Sequence, residues 1–289
     1  MSNDPAFSPI PGIKTILLGP PGTGKTYSLR TLEAITQIQA RAVFTDPNYS
    51  SGLYPSMEYV YVRPSVDSWE SFLDVAEKSH TLPMDSLQKL DIGRVKYTAF
   101  RDIIQQMANY RPLSGKAYGN ISTWGTDTVL IFDNLTGLSR SARGWTAGGK
   151  PNPTQPEWGT MMHLVETFLT MLATSTWAHV ILIAHIEQER DEISGTMKNM
   201  LSTLGRKLAP KIPSDFNDAI LARKDGGNFY WDTINTATDI KSMHLPFSGT
   251  IKPDFGQIFK TWEARGGLYL PGAPDPNNFA EALTHAPKR

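Results

Sequence analysis

Cysteine is absent from the 289 residues, which excludes a disulfide framework, thiolate metal sites and cysteine nucleophiles. Net charge is absent as well. Lys and Arg total 28 against 28 Asp and Glu, so no global field draws nucleic acid, and any such binding must use local basic segments. No apolar run approaches the ~20 residues of a membrane span. The opening Met1-Ser2-Asn3-Asp4-Pro5 lacks the basic-then-apolar order of a secretion signal. These absences predict a soluble protein of the cytoplasm with no membrane partner. There is no internal repeat and no low-complexity tract. The 40% hydrophobic content suffices for a full core, and the length suits one large domain.

What is present is concentrated near the start. Gly19-Pro20-Pro21-Gly22-Thr23-Gly24-Lys25-Thr26 follows the apolar run Ile16-Leu17-Leu18 and precedes Tyr27. This is a complete G-x-x-x-x-G-K-[ST] phosphate-binding loop. The glycines let backbone N–H groups curl around a β-phosphate, Lys25 reaches the β and γ oxygens, and the Thr26 hydroxyl ligates Mg²⁺. The predicted cofactors are therefore ATP and Mg²⁺, with a helix from Lys25 adding its positive end.

The pattern alternates strands and helices. Thr15 to Leu18, Ala42 to Thr45, Tyr59 to Val62, Thr128 to Phe132 and His179 to Ala184 read as strands. Between them fall a helix carrying Tyr27, Leu29, Leu32, Ile35 and Ile38, and one capped by Asp67 with Trp69, Phe72, Leu73 and Ala76 inward. A third spans Tyr97 to Met107, and a fourth starts at Thr154, Pro156 and Glu157. Residues 79–94 read as a surface connection, and Ser114 to Gly125 as a Gly-rich stretch. Ile186 to Ser202 reads as a polar, flexible segment, followed by shorter, partly antiparallel strands at Asp218 to Arg223, Phe229 to Thr233 and Asp239 to Met243. The predicted fold is α/β, a mostly parallel central sheet flanked by helices with shorter C-terminal antiparallel strands. It comprises an arm over 1–12, a domain over 13–270 with an insertion-like excursion at 79–126, and a tail over 271–289.

A phosphate loop needs a carboxylate at the tip of a neighbouring strand to hold Mg²⁺, and Asp133 ends the best apolar strand. Asp218 lies at the start of its strand, the wrong end for ligands in an open α/β sheet. Asn134 follows Asp133, so the glutamate that in many such sites activates water beside the metal ligand is missing. Asp46, at the tip of the preceding core strand, is the candidate base and Glu58 the second. Asp46-Pro47-Asn48 also fits a plain turn. His185 ends its strand where a polar side chain can sense the γ-phosphate, or be an ordinary hydrogen-bonded histidine.

The order of these parts resembles the RecA-like P-loop NTPase core. More narrowly, Val129 to Ser139 (VLIFDNLTGLS), Ile181-Leu182-Ile183-Ala184-His185 and Gly205 to Pro213 resemble phage RecA-like ATPases of the single-strand-annealing recombinase group. The resemblance implies ATP held between subunits of a homo-oligomer, single-stranded DNA gripped by mobile loops, a single-strand-binding protein as further partner, and residence in the host cytoplasm. The loop counterparts here are Ser139 to Lys150, with Arg140, Arg143, Lys150 and a stacking ring in Trp145, and Thr196 to Lys211, with Lys198, Arg206 and Lys207. Ordinary solvated loops are the alternative for both. Lys241 sits where such cores present a lysine to the neighbour's γ-phosphate, although an edge-strand lysine that discourages aggregation fits equally.

The resulting expectation is a DNA-dependent ATPase promoting annealing or strand exchange. Its competitors are a motor or loader ATPase for a helicase or DNA packaging, and a nucleotide-gated binding protein with little turnover.

Overall fold

The computed structural model describes residues 10–64, 68–89, 94–190, 197–205 and 207–274. Asp67, Arg206, most of the N-terminal arm and most of the C-terminal tail lie outside the described residues.

The strands are β1 (Lys14–Gly19), β2 (Gln39–Phe44), β3 (Glu58–Tyr61), β4 (Thr128–Asp133), β5 (His179–Arg190), β6 (Met197–Leu201), β7 (Asp218–Asp225) and β8 (Asn228–Asp232). The helices are α1 (Lys25–Ser28), α2 (Trp69–Thr81), α3 (Met84–Lys89), α4 (Ala99–Ala108), α5 (Leu135–Ala147), α6 (Gln155–Thr174) and α7 (Gly256–Ala264). The sheet runs β3-β2-β4-β5-β1-β7-β8, with β6 paired to the outer half of β5. Pairs from β3 through β7 are parallel, while β7–β8 and β5–β6 are antiparallel. One strand, β5, separates the phosphate-loop strand β1 from the acidic strand β4.

The continuous apolar runs of β1, β4 and β5 follow from burial on both faces. Alternation along β1 sends Ile16 and Leu18 to one face with Leu130, Phe132, Val180 and Leu182, under α4, α5 and α6. Leu17 goes to the other face with Ile131 and Ile183, under Trp231, Phe255 and Trp262. Helix α6 begins as its sequence requires. The Thr154 N–H donates to the Glu157 carboxylate at 2.7 Å, and Met161, Val165, Phe168, Leu169 and Leu172 are buried.

Several elements depart from expectation. The helix after the phosphate loop is α-helical for one turn and then a 3₁₀ turn over Leu29–Ala34. Hydroxyls bond back to local carbonyls there, Ser28 to Lys25 and Thr31 to Ser28, which competes with the regular ladder. Trp69, Phe72 and Leu73 share a helix face as their spacing predicts, but it is exposed: 84%, 58% and 58%. Residues 79–94 contain the end of α2 and all of α3 rather than an irregular connection. The segment after His185 is a hairpin, with Ile186 opposite Leu201 and Glu189 opposite Lys198. Ser139 to Ala147 is not a loop but most of α5. Ser139, Ser141 and Gly144 are weak helix formers, and burial of Leu135, Leu138 and Ala142 on the same helix outweighs them. Asp239 to Met243 makes only a backbone bridge, Lys241 to Ala219, rather than a strand.

Candidate functional site

The site lies at the C-terminal ends of β1, β2, β4 and β5, where an open parallel sheet presents its ligands. Gly22 and Gly24 hold φ of 76° and 77°, left-handed backbone that a side-chain-bearing residue adopts only under strain. The loop curls over the Lys25 ammonium, which donates to the Gly19 and Pro20 carbonyls at 2.8 and 2.7 Å. Thr23 ties the loop back on itself with a bond to the Pro20 carbonyl at 2.8 Å. Burial pulls the Lys25 ammonium down to about 8, and Asp133 and Asp46 oppose that shift.

Asp133 reaches the tip of β4 directly opposite this lysine. It is 1% exposed, and its Oδ2 accepts from the Thr26 hydroxyl at 2.7 Å. Burial pushes its carboxyl up to about 7, with the Thr26 bond opposing and the Asp46 charge adding to the rise. Thr26 and Asp133 are hard oxygen donors beside a cationic loop. They fit Mg²⁺, which takes one or two protein oxygens and completes its shell with water and nucleotide phosphate. Among the described residues no group of three or more His, Asp or Glu could hold a metal by itself.

Asn134 ties the polar residues around this centre together. The Asp133–Asn134 peptide bond is cis. The Asn134 amide donates to Asp46 Oδ2 at 3.1 Å and faces His185 Nε2 at 3.2 Å. Its Oδ1 accepts the Gly137 N–H at 2.8 Å and caps α5. Thr45 clamps the same residue, accepting the Asn134 N–H at 2.9 Å. Burial first, and Lys25 second, lower the His185 pKa, and Nε2 is the acceptor toward an amide nitrogen that can only donate. A cavity of about 670 Å³ opens onto Lys25, Thr26, Asp46, Asp133 and His185, with Tyr27 and Phe229 on its walls.

A family model described as AAA domain matches residues 11–223. The chain belongs to the AAA domain family. No curated protein sequence matches it. Among solved structures it is similar to the crystal structure of the RadB recombinase, at 16% identity over 81% of this chain and 92% of that one, with a TM-score of 0.32. Likeness at that level carries no functional argument. The assignment of a nucleotide-binding P-loop domain rests on the family match and on the pairing of the phosphate loop with Asp133 at the tip of β4.

Along the chain the expected residues separate into two groups. Lys25, Thr26, Asp133, Asp46 and His185 converge, and Tyr27 joins the cavity wall. Glu58 does not. It opens β3 at the far end of the sheet, where Tyr118 donates to it at 2.7 Å, so it is no base for this site. Lys241 bridges to Ala219 near the start of β7, and its ammonium donates to the Ser214 carbonyl at 3.0 Å, so it stands outside its own chain's cavity. Arg140 and Trp145 are exposed on α5. Arg143 donates to the Lys150 and Pro151 carbonyls at 2.9 and 3.3 Å. Lys150 is not a free phosphate contact, being buried and paired with Glu157 at 2.7 Å. Lys198 pairs with Asp239 at 3.0 Å on the hairpin, and Lys207 is exposed.

Phe229 was not legible as a site residue. The β7–β8 hairpin folds it back until its ring lies 3.1 Å from where a Cβ of Gly24 would stand, and only the Gly226-Gly227 turn in the sequence marks that reversal.

Proposed function

We propose that this chain is a Mg²⁺-dependent ATPase that assembles with its own copies on single-stranded DNA and promotes annealing or strand exchange in recombination of the phage type. The observation that carries this reading is the position of Asn134. Its amide touches Asp46 and faces His185, and its carbonyl oxygen caps the helix that bears Arg140, Arg143 and Trp145. Nucleotide and DNA affinities coupled through one residue are necessarily reciprocal.

In this reading Lys25 and the loop amides hold the triphosphate, and Thr26 and Asp133 hold the ion, which neutralises charge on the β and γ oxygens. Asp46 accepts the proton of the attacking water while the Asn134 amide fixes its orientation. His185 reports on the γ-phosphate to the β5–β6 hairpin, and Lys241 serves the neighbouring subunit's nucleotide.

One observation favours slow turnover, and with it a nucleotide-gated binding protein. Asp46 Oδ2 is already held by Asn134, and Asn134 occupies the place where an adjacent acid would act.

The test is ATP hydrolysis by the purified protein and by Lys25→Ala, with and without single-stranded DNA, together with DNA binding in ATP and in ADP. Stimulation by DNA that vanishes in the variant supports the recombinase-like reading. ATP-dependent DNA binding without turnover supports the gated binder, and no DNA binding in either nucleotide overturns both.

A further inference from the structure

A second cavity, of about 530 Å³, lies between the exit of β3, the start of α2 and the outer face of α5. It is distinct from the nucleotide cavity, with no lining residue in common. Among the described residues three arginines line it, Arg63, Arg140 and Arg143, and no acidic residue does. Among the described residues Arg63 and Arg140 are exposed and have no ion-pair partner. Trp69 and Phe72 form the opposite wall, 84% and 58% exposed, with ring centroids 6.4 Å apart in an edge-to-face arrangement. Two large exposed rings facing unpaired guanidiniums are costly for a surface that meets only water. At the floor a glycine lets the Tyr97 ring pack directly on α5, since a Cβ on Gly144 would stand 2.7 Å from Tyr97 Cδ1.

We propose that this groove is the seat of a single-stranded nucleic acid, with phosphates on Arg63 and Arg140 and bases stacked on Trp69 and Phe72. The chemistry is that of non-sequence-specific strand binding, a cationic track beside aromatic faces that accept any base. A duplex does not fit this chemistry, because its bases are stacked on each other and unavailable to the rings. The inference rests on the DNA-binding reading above and deepens it. It extends the contact surface to Arg63, just past β3, and to the face of α2 that the sequence assigned to the core. Arg140 lies on α5 six residues beyond Asn134, so the groove and the γ-phosphate corner share one rigid element.

The experiment uses the full chain with Mg²⁺ and ATP, titrated against a fluorescein-labelled 20-nucleotide oligo-dT and against an abasic strand of the same length. Anisotropy is read across a salt series. Trp69→Ala is expected to weaken oligo-dT binding roughly 5- to 100-fold and leave the abasic strand nearly unaffected. Arg63→Ala and Arg140→Ala are expected to weaken both strands and to reduce the salt slope by about 0.7 each, with Arg63→Lys restoring the slope. Thermal unfolding of each variant confirms its fold. If the parent binds oligo-dT and these variants bind equally well, the groove is wrong while the DNA reading stands. Equal loss on both strands in Trp69→Ala rejects stacking and overturns the proposal. A parent that binds neither strand in ATP or ADP removes the DNA reading and the groove with it.

Discussion

The Thr26 hydroxyl donates to Asp133 Oδ2 at 2.7 Å, joining the first turn after the phosphate loop to the tip of β4 across the intervening β5. Asp133→Asn keeps the shape and removes the charge. Turnover of ATP is expected to fall at least ~100-fold, because charge stabilisation on the phosphates is lost. The apo protein is expected to be as stable as the parent or more so, since a buried carboxylate already raised to about 7 is costly to keep ionised. Steady-state hydrolysis and urea unfolding without nucleotide check the two halves. A destabilised apo variant would show that the carboxylate is structural.

Asn134 separates capping from chemistry. Asn134→Ala loses both and is expected to cost about 1 kcal/mol at the α5 N-terminus as well as most of the turnover. Asn134→Asp retains an acceptor for the Gly137 N–H but sets a like charge beside Asp46. It should lose stability through the added buried charge although the cap acceptor remains, and kcat should still fall, with KM for ATP changed little. Equal kcat in Asn134→Asp and the parent would remove Asn134 from the orientation of Asp46.

Acid should destabilise the fold through His179. Its ring accepts the Ile13 N–H at Nδ1, 3.0 Å away, and faces the Thr126 carbonyl with Nε2 at 2.9 Å, so it is buried neutral. Burial, helped by the Lys14 charge, lowers its pKa from 6.5 to about 3. Below 6.5 the unfolded chain takes up a proton that the folded one refuses, so stability falls as pH falls and levels off near 3. The loss is up to about 5 kcal/mol. Urea midpoints at pH 7, 5 and 4 should fall more steeply for the parent than for His179→Gln. Parallel profiles would assign the acid sensitivity elsewhere.

Gly137→Ala should disturb the site from outside it. The added Cβ would stand 2.0 Å from Thr45 Oγ1, the atom that accepts the Asn134 N–H. Overpacking of this kind costs about 1–3 kcal/mol, and displacing Thr45 should also lower turnover. Unfolding free energy and kcat measured together test this, and an unchanged kcat would mean that Thr45 gives way without moving Asn134.

The nucleotide half of the site was legible because its chemistry is local. Gly22, Gly24, Lys25 and Thr26 are contiguous, and Asp133 and His185 each end an apolar run long enough to identify as a buried strand. The strands β1, β4 and β5 themselves were equally accessible, since their Ile, Val and Leu content leaves few alternatives, whereas their order in the sheet was not legible. The DNA-facing half was read less well. Ser139 to Ala147 looked like a loop from the resemblance, which places a mobile basic loop after the Asp133 strand, and the hairpin after His185 looked flexible because its residues are polar and charged. Lys150 looked available because nothing in its neighbourhood announces that Glu157, one turn into α6, turns back to meet it.

By itself the sequence determined that this chain builds a phosphate loop on a parallel sheet, because backbone curvature, a lysine and a hydroxyl at fixed spacing need no distant partner. Tertiary structure alone decided which polar residues act together. Asp46 and Asn134 follow the ends of β2 and β4, and they meet His185 of β5 only because these three strands are adjacent, with Phe44 opposite Asp133 and Asp133 opposite Ile183. Glu58 has the right chemistry at the wrong end of β3, and Trp69 and Phe72 have the right spacing for a core that no described element supplies. Spacing along a chain fixes which side of an element a residue occupies, whereas packing alone determines what stands opposite.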